Sequence, residues 1–374
     1  MKRPALFLTS LLLCLTVSLA ALTVAHRPNT FSERENRMLA QPPVLTFSSL
    51  WDGTFASAAE KYLADQFYAR DFWMSVRLYI RLAFGQCENG GVYIGKNRLF
   101  LVPGKPDEDA MQNTLRAVNA FAARHRDIRH FMAVVPNAIC VMKDELPIAA
   151  PGLDQRTLLH TIAGALKDVT FLDTTDALCA KSSMPLYYRT DHHWTSLGAQ
   201  TAFLAMAEDM GIEPIADYDV ITVSDSFRGT LASKSGVTDR TDTIEIILPE
   251  SDVLYSVTYA QEFRTEGTMF DKNALNEKDQ YAVFFGGNHP LIDIQTTAES
   301  DRVLLLFKDS YANCFVPLLT PYFSRIVMVD PRYYYEDADS LVLRSGITDV
   351  LYLYNAETFA GDTALADTLA EMTE

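Results

Sequence analysis

The sequence predicts an α/β protein: a parallel sheet with helices on both faces, a mostly β insertion, and a transmembrane helix at the N-terminus. Strand-length apolar runs alternate with amphipathic segments of helical length in two blocks, one ending near Leu172 and the other beginning at Val303. Such alternation implies parallel strands joined by crossover helices. Residues 215–298, between the blocks, are richer in Thr, Ser, Val and Ile and read as an insertion or an elaborated sheet edge of the same domain. Before all of this stands one uninterrupted apolar stretch.

That stretch, ALFLTSLLLCLTVSLAALTVA at positions 5–25, carries no charge and follows Lys2 and Arg3. A helix of about 20 apolar residues spans the hydrocarbon of a bilayer. Positive flanks stay on the cytoplasmic side, which puts everything from His26 onward outside. A cleaved signal peptide is the rival reading, with Ser18-Leu19-Ala20 as a small-x-small cleavage site. The apolar stretch runs on to Ala25, and that length favours a retained anchor. The expectation is a single-pass plasma-membrane protein with an extracytoplasmic body, or a secreted one if the segment is cleaved. A lipoprotein reading through Cys14 is disfavoured, because Leu13 stands where a small residue is required.

Without Lys2 and Arg3 the 32 basic residues of the chain fall to 30, against 48 acidic ones, a net of −18 for the exported part. That field repels phosphate backbones and anionic lipid surfaces, and argues against nucleic acid as a partner. A hydrophobic share of 48% excludes a disordered chain. Cys87, Cys140, Cys179 and Cys314 lie outside the anchor with no CxxC pair among them, so zinc and thioredoxin-like sites have no support. Export permits disulfides, and the sequence leaves their pairing open beside free thiols.

The body divides into a membrane-proximal helical stalk, 26–84, and a catalytic domain, 85–374. In the stalk Phe55, Ala58, Tyr62 and Phe67, then Trp73, Val76, Leu78 and Leu82, recur at roughly helical spacing, which predicts two helices. Val92–Ile94 and Leu99–Val102, split by GKN, predict a hairpin. Helices are expected over Asp107–His125 and Asp154–Lys167, with strands at Phe131–Val135 and Val169–Leu172. A helix before Gly211 has Thr195 or Ser196 as its N-cap. Strands follow at Val303–Phe307, Ile326–Val329 and Val350–Tyr354, with helices at Tyr311–Tyr322, interrupted by Pro317, and near Glu336–Arg344.

Three places could carry chemistry, the third of them diffuse. In Arg189-Thr190-Asp191-His192-His193-Trp194 three titratable groups stand together. If the segment is extended, side chains alternate faces, so Asp191 and His193 share one side while His192 and Trp194 face the other. A carboxylate beside an imidazole fixes its tautomer and stabilises the imidazolium, which a general base needs. The spacing therefore selects His193 as base and Asp191 as its orienter. His192 is then a supporting or packing residue, and Trp194 a core residue or a stacking platform for a sugar. The second place is Lys308-Asp309-Ser310-Tyr311-Ala312-Asn313 after the run VLLLF. A serine opening a helix at the C-terminal end of a parallel strand lies on the edge where α/β folds bind ligands, with helix N–H groups placed for an oxyanion. Asn288, Asn313, Asn355 and Tyr311 are candidate oxyanion or substrate contacts, although asparagines at strand ends also serve as turn formers.

At these residues the sequence resembles the DHHW protein family, related to the SGNH-hydrolase-like alginate O-acetylation proteins AlgJ and AlgX. Thr190-Asp191-His192-His193-Trp194-Thr195 matches the signature in full. Further matches are the stretch from Phe31 to Arg37, Asn89–Gly95, Gly229–Gly236, Phe285–Asn288, Asp309–Asn313 and Asp330–Tyr334, so the resemblance covers the chain past residue 30. It implies an SGNH-hydrolase-like, flavodoxin-like fold and a triad of Asp191, His193 and Ser310. It also implies an O-acetyltransferase acting on an exported polysaccharide, with a membrane-bound O-acyltransferase partner as acyl donor and no cofactor. Two features depart from the usual SGNH pattern. The serine comes last in the chain, as in the alginate proteins, and Lys308 stands where many SGNH enzymes have glycine.

The function expected is an extracytoplasmic serine O-acyltransferase working on a cell-envelope polysaccharide. Water competes with sugar hydroxyls for an acyl-enzyme, so a carbohydrate esterase or deacetylase with the same triad is the alternative. A binding scaffold that kept the fold without activity is another. A metal at Asp191-His192-His193 is not expected, because adjacent histidines point in opposite directions on a strand and no HExxH spacing or further ligand cluster accompanies them.

Overall fold

The computed structural model describes residues 2–370 apart from 33, 36, 149 and 152–154. The chain forms two compact units, one of residues 1–89 with 233–237, the other of 90–232 with 238–374.

In the first unit α1 (Lys2–Ala25) holds an apolar span at Leu6–Ala25, and among the described residues it is the one helix long and apolar enough to cross a membrane. Three helices follow, α2 (Phe47–Trp51), α3 (Thr54–Asp65) and α4 (Arg70–Ala83). Thr46 starts α2 with a reciprocal capping box to Ser49. Asp65 is buried at the end of α3 and takes two hydrogen bonds from Arg37, at 2.9 and 2.6 Å, which hold its carboxyl down at about 2.

The second unit begins with the antiparallel pair β1 (Val92–Ile94) and β2 (Leu99–Leu101). Its centre is an eight-stranded sheet. The parallel part comprises β3 (Arg129–Val135), β4 (Thr170–Phe171), β10 (Val303–Lys308), β11 (Arg325–Val329) and β12 (Asp349–Asn355). The antiparallel edge comprises β7 (Tyr255–Tyr259), β8 (Arg264–Glu266) and β9 (Leu291–Thr296). The order is β8-β7-β9-β11-β10-β12-β3-β4. The remaining strands, β5 (Tyr218–Phe227) and β6 (Asp242–Pro249), make a separate antiparallel ribbon. Residues 218–296 thus supply that ribbon and the antiparallel edge.

The central strands read as unbroken apolar runs because both their faces are buried. Leu305 and Phe307 join one cluster with Met111, Leu115, Val118 and Phe121 of α5 (Glu108–Arg124), Leu159 and Ile162 of α6 (Gln155–Ala165), and Leu341 and Val342 of α8 (Ala338–Ser345). Leu304 and Leu306, pointing the other way, are equally enclosed. Side-chain oxygens cap the helices: Asp107 for α5, Asp337 for α8, and for α7 (Ser196–Met206) Thr195, one of the two caps the sequence offers. The expected start of α6, Asp154, lies outside the described residues.

Two regions differ from expectation. Residues 47–83, expected to hold two helices, hold three, because Gly53 and the capping box at Thr46 set off the short α2. Residues 311–322 do not form an α-helix with a kink; Ser310–Cys314 and Val316–Leu319 are two 3₁₀ turns. Pro317 has no N–H to continue an α-helix, and Cys314 through Leu319 are buried on every side. A chain enclosed all round gains nothing from presenting a single apolar stripe.

The parallel strands place their carboxyl ends along one edge. Lys308 pairs beside Leu353, Asn355 beside Val135, and Phe307 beside Val329. The segments leaving that edge, at Asp309, Asp330, Asn355 and Pro136, are where an open α/β sheet gathers its ligand-binding groups.

Candidate active site

Residues 187–195 form a tight turn. Tyr187 and Trp194 bridge antiparallel, and Tyr188 N–H donates to the His193 carbonyl at 3.2 Å. The expected alternation of faces therefore does not hold. Asp191 and His193 meet because Asp191 Oδ1 accepts the His193 amide at 3.0 Å and stands 2.6 Å from His193 Nδ1. His192 does not face away either: its Nδ1 lies 3.2 Å from the same Oδ1 and 3.0 Å from Thr230 Oγ1.

The turn is anchored by groups from elsewhere in the chain, of which the sequence points only to the stretch beginning at Gly229. Buried Asp242 accepts from the amides of Arg189 and Thr190, each at 2.8 Å, and from Thr190 Oγ1 at 2.5 Å. Arg98, also buried, donates to the carbonyls of Tyr187 and Tyr188 at 2.6 and 2.8 Å. The second oxygen of Asp191 accepts from Thr230 N and Oγ1 at 2.6 and 2.9 Å. Gly229 allows that approach, since a β-carbon there would stand 2.2 Å from Asp191 Oδ2.

Ser310 follows β10 and opens the first 3₁₀ turn. Asp309 caps that turn, accepting Tyr311 N–H at 2.9 Å through Oδ1, while its Oδ2 takes the Asn355 amide and carboxamide from the end of β12 at 2.9 and 2.5 Å. The hydroxyl this presents lies 2.7 Å from His193 Nε2. Asp191, His193 and Ser310, 117 residues apart at the extremes of that last bond, thus form one hydrogen-bonded line. Tyr281, in the turn Gln280–Val283, closes the site: its ring stacks on His193 at 4.0 Å and its hydroxyl donates to the Ser310 carbonyl at 3.0 Å. No local pattern singles out this tyrosine.

Burial and the neighbouring His192 disfavour a charge on His193 and push its imidazole down to about 4. It is therefore neutral, the form that can take a proton, at physiological pH. Burial alone would raise Asp191, but the attraction of His192 and His193 outweighs it and holds the carboxyl well below its usual range. The carboxylate therefore stays ionised.

The other candidates fall into place differently. Trp194 is fully buried, stacks on Phe315 and donates its indole N–H to the Tyr311 carbonyl at 2.8 Å, so no sugar reaches it. Tyr311 is equally enclosed and pins the His192 carbonyl through its hydroxyl at 2.5 Å; it braces the turn and does not face a substrate. Asn355 spends its carboxamide on Asp309 and on capping Glu357 and Thr358, which makes it a strand-end cap. Asn313 is buried with both ends occupied, its Oδ1 by Lys308 and its Nδ2 by Asn288 and Gly287. Asn288 is exposed and accepts at Oδ1 from Lys308 Nζ at 2.9 Å. Lys308 itself is buried and points to Asn288, Asn313 and Asp330; desolvation lowers its pKa.

Asp191, His192 and His193 offer ligand atoms within 4.8 Å of one another. Both nitrogens of His193 already have protein partners, so a metal there would have to break the line to Ser310.

A model of the DHHW protein family matches residues 129–329, more than half of the chain. The chain belongs to the DHHW protein family. Among solved structures it is similar to a DHHW family protein from Eubacterium siraeum, at 25% identity and a TM-score of 0.66 over 77% of this chain and 98% of that one. It shares its fold with Bacillus cereus PatB1, solved with a sulfonyl adduct, at 18% identity and a TM-score of 0.61 over 73% and 96% of the two chains. The O-acetyltransferase domain of Pseudomonas putida AlgJ is a more distant match, at 17% identity and a TM-score of 0.47 over 75% and 98%. No curated protein matches the chain. The family match spans both the Asp191–His193 turn and Ser310.

Proposed function

We propose that this DHHW protein is an SGNH-type serine O-acyltransferase of the extracytoplasmic membrane face, moving acetyl groups onto a cell-envelope polysaccharide. The observation that carries the reading is the line from ionised Asp191 through neutral His193 to the half-buried hydroxyl of Ser310. These groups are recognised by role and geometry, not by chain order.

Ser310 Oγ attacks the acyl carbonyl as His193 Nε2 takes its proton. The bond to the donor's carrier then breaks, and the carrier leaves with that proton. A sugar hydroxyl next attacks the acyl-serine, His193 removes its proton, and the serine oxygen departs and regains one. Asp191 remains ionised throughout. The Ser310 amide, at the start of its turn where no intrahelical acceptor precedes it, and Asn288 Nδ2 are the proposed oxyanion donors. Tyr333 and Tyr335 stand exposed in the segment leaving β11 on the same edge, and their rings replace Trp194 as stacking faces for the acceptor. The acyl donor is a membrane-bound O-acyltransferase or its product, reached from an anchor at α1.

Acetyl transfer from p-nitrophenyl acetate, followed with and without oligosaccharide acceptors by mass spectrometry, tests the proposal. Acetylated sugar supports the transferase. Free acetate alone, with any acceptor, makes the enzyme an esterase using the same groups. A folded protein that releases no p-nitrophenol contradicts both.

A further inference from the structure

Between Val44 and Phe84 the first unit leaves an unusual number of large apolar side chains in the open, among them Phe47, Leu50, Trp51, Phe72, Ile80 and Phe84. Its burial is inverted. The residue α3 buries is the anion Asp65, while Leu63 of the same helix is more than half exposed. At the corner joining α3 to α4, Phe67, Tyr68 and Trp73 are each more than a third exposed and Phe72 more than half. Soluble surfaces rarely carry so continuous an apolar patch.

The position of this corner identifies what covers it. Tyr68 N–H donates to Thr23 Oγ1 of α1 at 3.1 Å, and the Tyr68 ring meets that of His26 edge-on at 6.2 Å. Gln66 clamps the chain just beyond α1, accepting from Asn29 N at 2.9 Å and donating to Asn29 O at 2.8 Å. Thr23 lies two residues from the end of the span at Ala25, about 3 Å of helix rise. With α1 spanning a bilayer, the corner would sit at the depth where hydrocarbon gives way to headgroups. The patch is also held rigid: Arg37 bridges Asp65 and Glu35, and Arg70 reaches Glu35 at 2.7 Å. Tyr and Trp beside a candidate membrane-spanning helix, with exposed Arg77 on the following helix, are the chemistry of the membrane–water interface.

We infer that the α3–α4 corner is a second membrane contact, in which Leu63, Phe67, Tyr68, Phe72 and Trp73 lie in the outer leaflet at headgroup level beside α1. The inference rests on α1 being a retained anchor. The contact fixes the tilt of the first unit against the bilayer as a single span cannot.

The chain has three tryptophans. Trp194 is fully buried, so the exposed Trp51→Phe variant leaves Trp73 as the one accessible reporter. The full-length variant is placed in nanodiscs at one copy per disc, and flotation first checks that α1 holds it there. Emission is then measured with lipids bearing a nitroxide near the headgroup, with lipids bearing one at the chain end, and with aqueous iodide. The expected result is strong loss of Trp73 emission to the headgroup-level nitroxide, less to the deep one, and little to iodide, all abolished by a further Trp73→Phe change. Quenching by iodide without quenching by lipid puts the corner in water and overturns the inference. Protection from all three quenchers means that protein covers the corner, which also overturns it. Failure to float with the discs removes the anchor on which the inference rests, and is read before any quencher is added.

Discussion

Replacing Gly229 with alanine tests whether the site depends on the fit between Asp191 and the backbone behind it. A β-carbon at this position would stand 2.2 Å from Cβ and Oδ2 of Asp191 and 2.6 Å from its Cγ. Non-bonded carbons settle at ~3.5–4.0 Å, so either the carboxylate or the backbone at 229–230 must retreat by more than about 1 Å. The first course draws Oδ1 off His193 Nδ1, now 2.6 Å away; the second draws Thr230 N and Oγ1 off Oδ2. Both leave the imidazole without a firmly held tautomer. Misplacing a reacting group by 1 Å costs on the order of 10²-fold, and losing the orienting carboxylate on the order of 10⁴-fold, so Gly229→Ala should lower kcat/KM for p-nitrophenyl acetate by about 10²–10⁴-fold. Overpacking of this kind costs about 1–3 kcal/mol, so the variant should stay folded, which circular-dichroism melting checks. A variant with near-wild-type kcat/KM and an unchanged melting temperature would refute the reasoning, because the glycine would then serve no close approach.

The remaining predictions concern the groups around that contact. Because burial and His192 hold His193 down at about 4 and its neutral form is the base, kcat/KM should stay level from neutral pH downward and fall only through about pH 4; a fall centred on 6.5, the ordinary imidazole value, contradicts the assigned environment. The same shift makes the fold lose stability as pH drops from 6.5 toward 4, since over that interval only the unfolded chain binds the proton. His193→Ala should cost on the order of 10⁴-fold or more in kcat, whereas His192→Ala, which leaves the line from Asp191 to Ser310 intact, should cost far less; parallel kinetics showing the reverse order would exchange their roles. Lys308→Met removes the cation from a buried cluster and strands the oxygens of Asn288, Asn313 and Asp330 that receive it. Breaking a buried pair costs ~3–5 kcal/mol, and because Arg332 still holds Asp330 the loss should fall near 3, read as a lower urea midpoint. An unchanged midpoint sinks that account.

The parallel strands were legible because burial on both faces writes itself as apolar runs, as in VLLLF and VLYLY, and the start of α7 was legible because Thr195 announces it chemically. Ser310 was legible for the same reason, standing just past such a run. The meeting of Asp191 with His193 was foreseen by the wrong route. Alternation along a strand suggested it, but a turn in which Asp191 accepts the His193 amide creates it, and that turn is held by Asp242 and Arg98 from far along the chain. The expected helix after Ser310 failed because complete burial and Pro317 favour short 3₁₀ turns. Trp194 shows the same limit: whether an indole faces a sugar or the core depends on whether a carbonyl such as that of Tyr311 waits for its N–H. Tyr281 left no signal, since its role exists only once a turn lays its ring on His193.

The most direct test of the central claim is where a serine-directed electrophile bonds. The folded full-length protein, treated with a fluorophosphonate or an aryl sulfonyl fluoride and mapped by peptide mass spectrometry, should carry one adduct, on Ser310. The adduct should be absent from Ser310→Ala and form much more slowly on His193→Ala. No adduct on a folded wild-type chain, or equal labelling of Ser310→Ala, would mean that Ser310 is not the nucleophile.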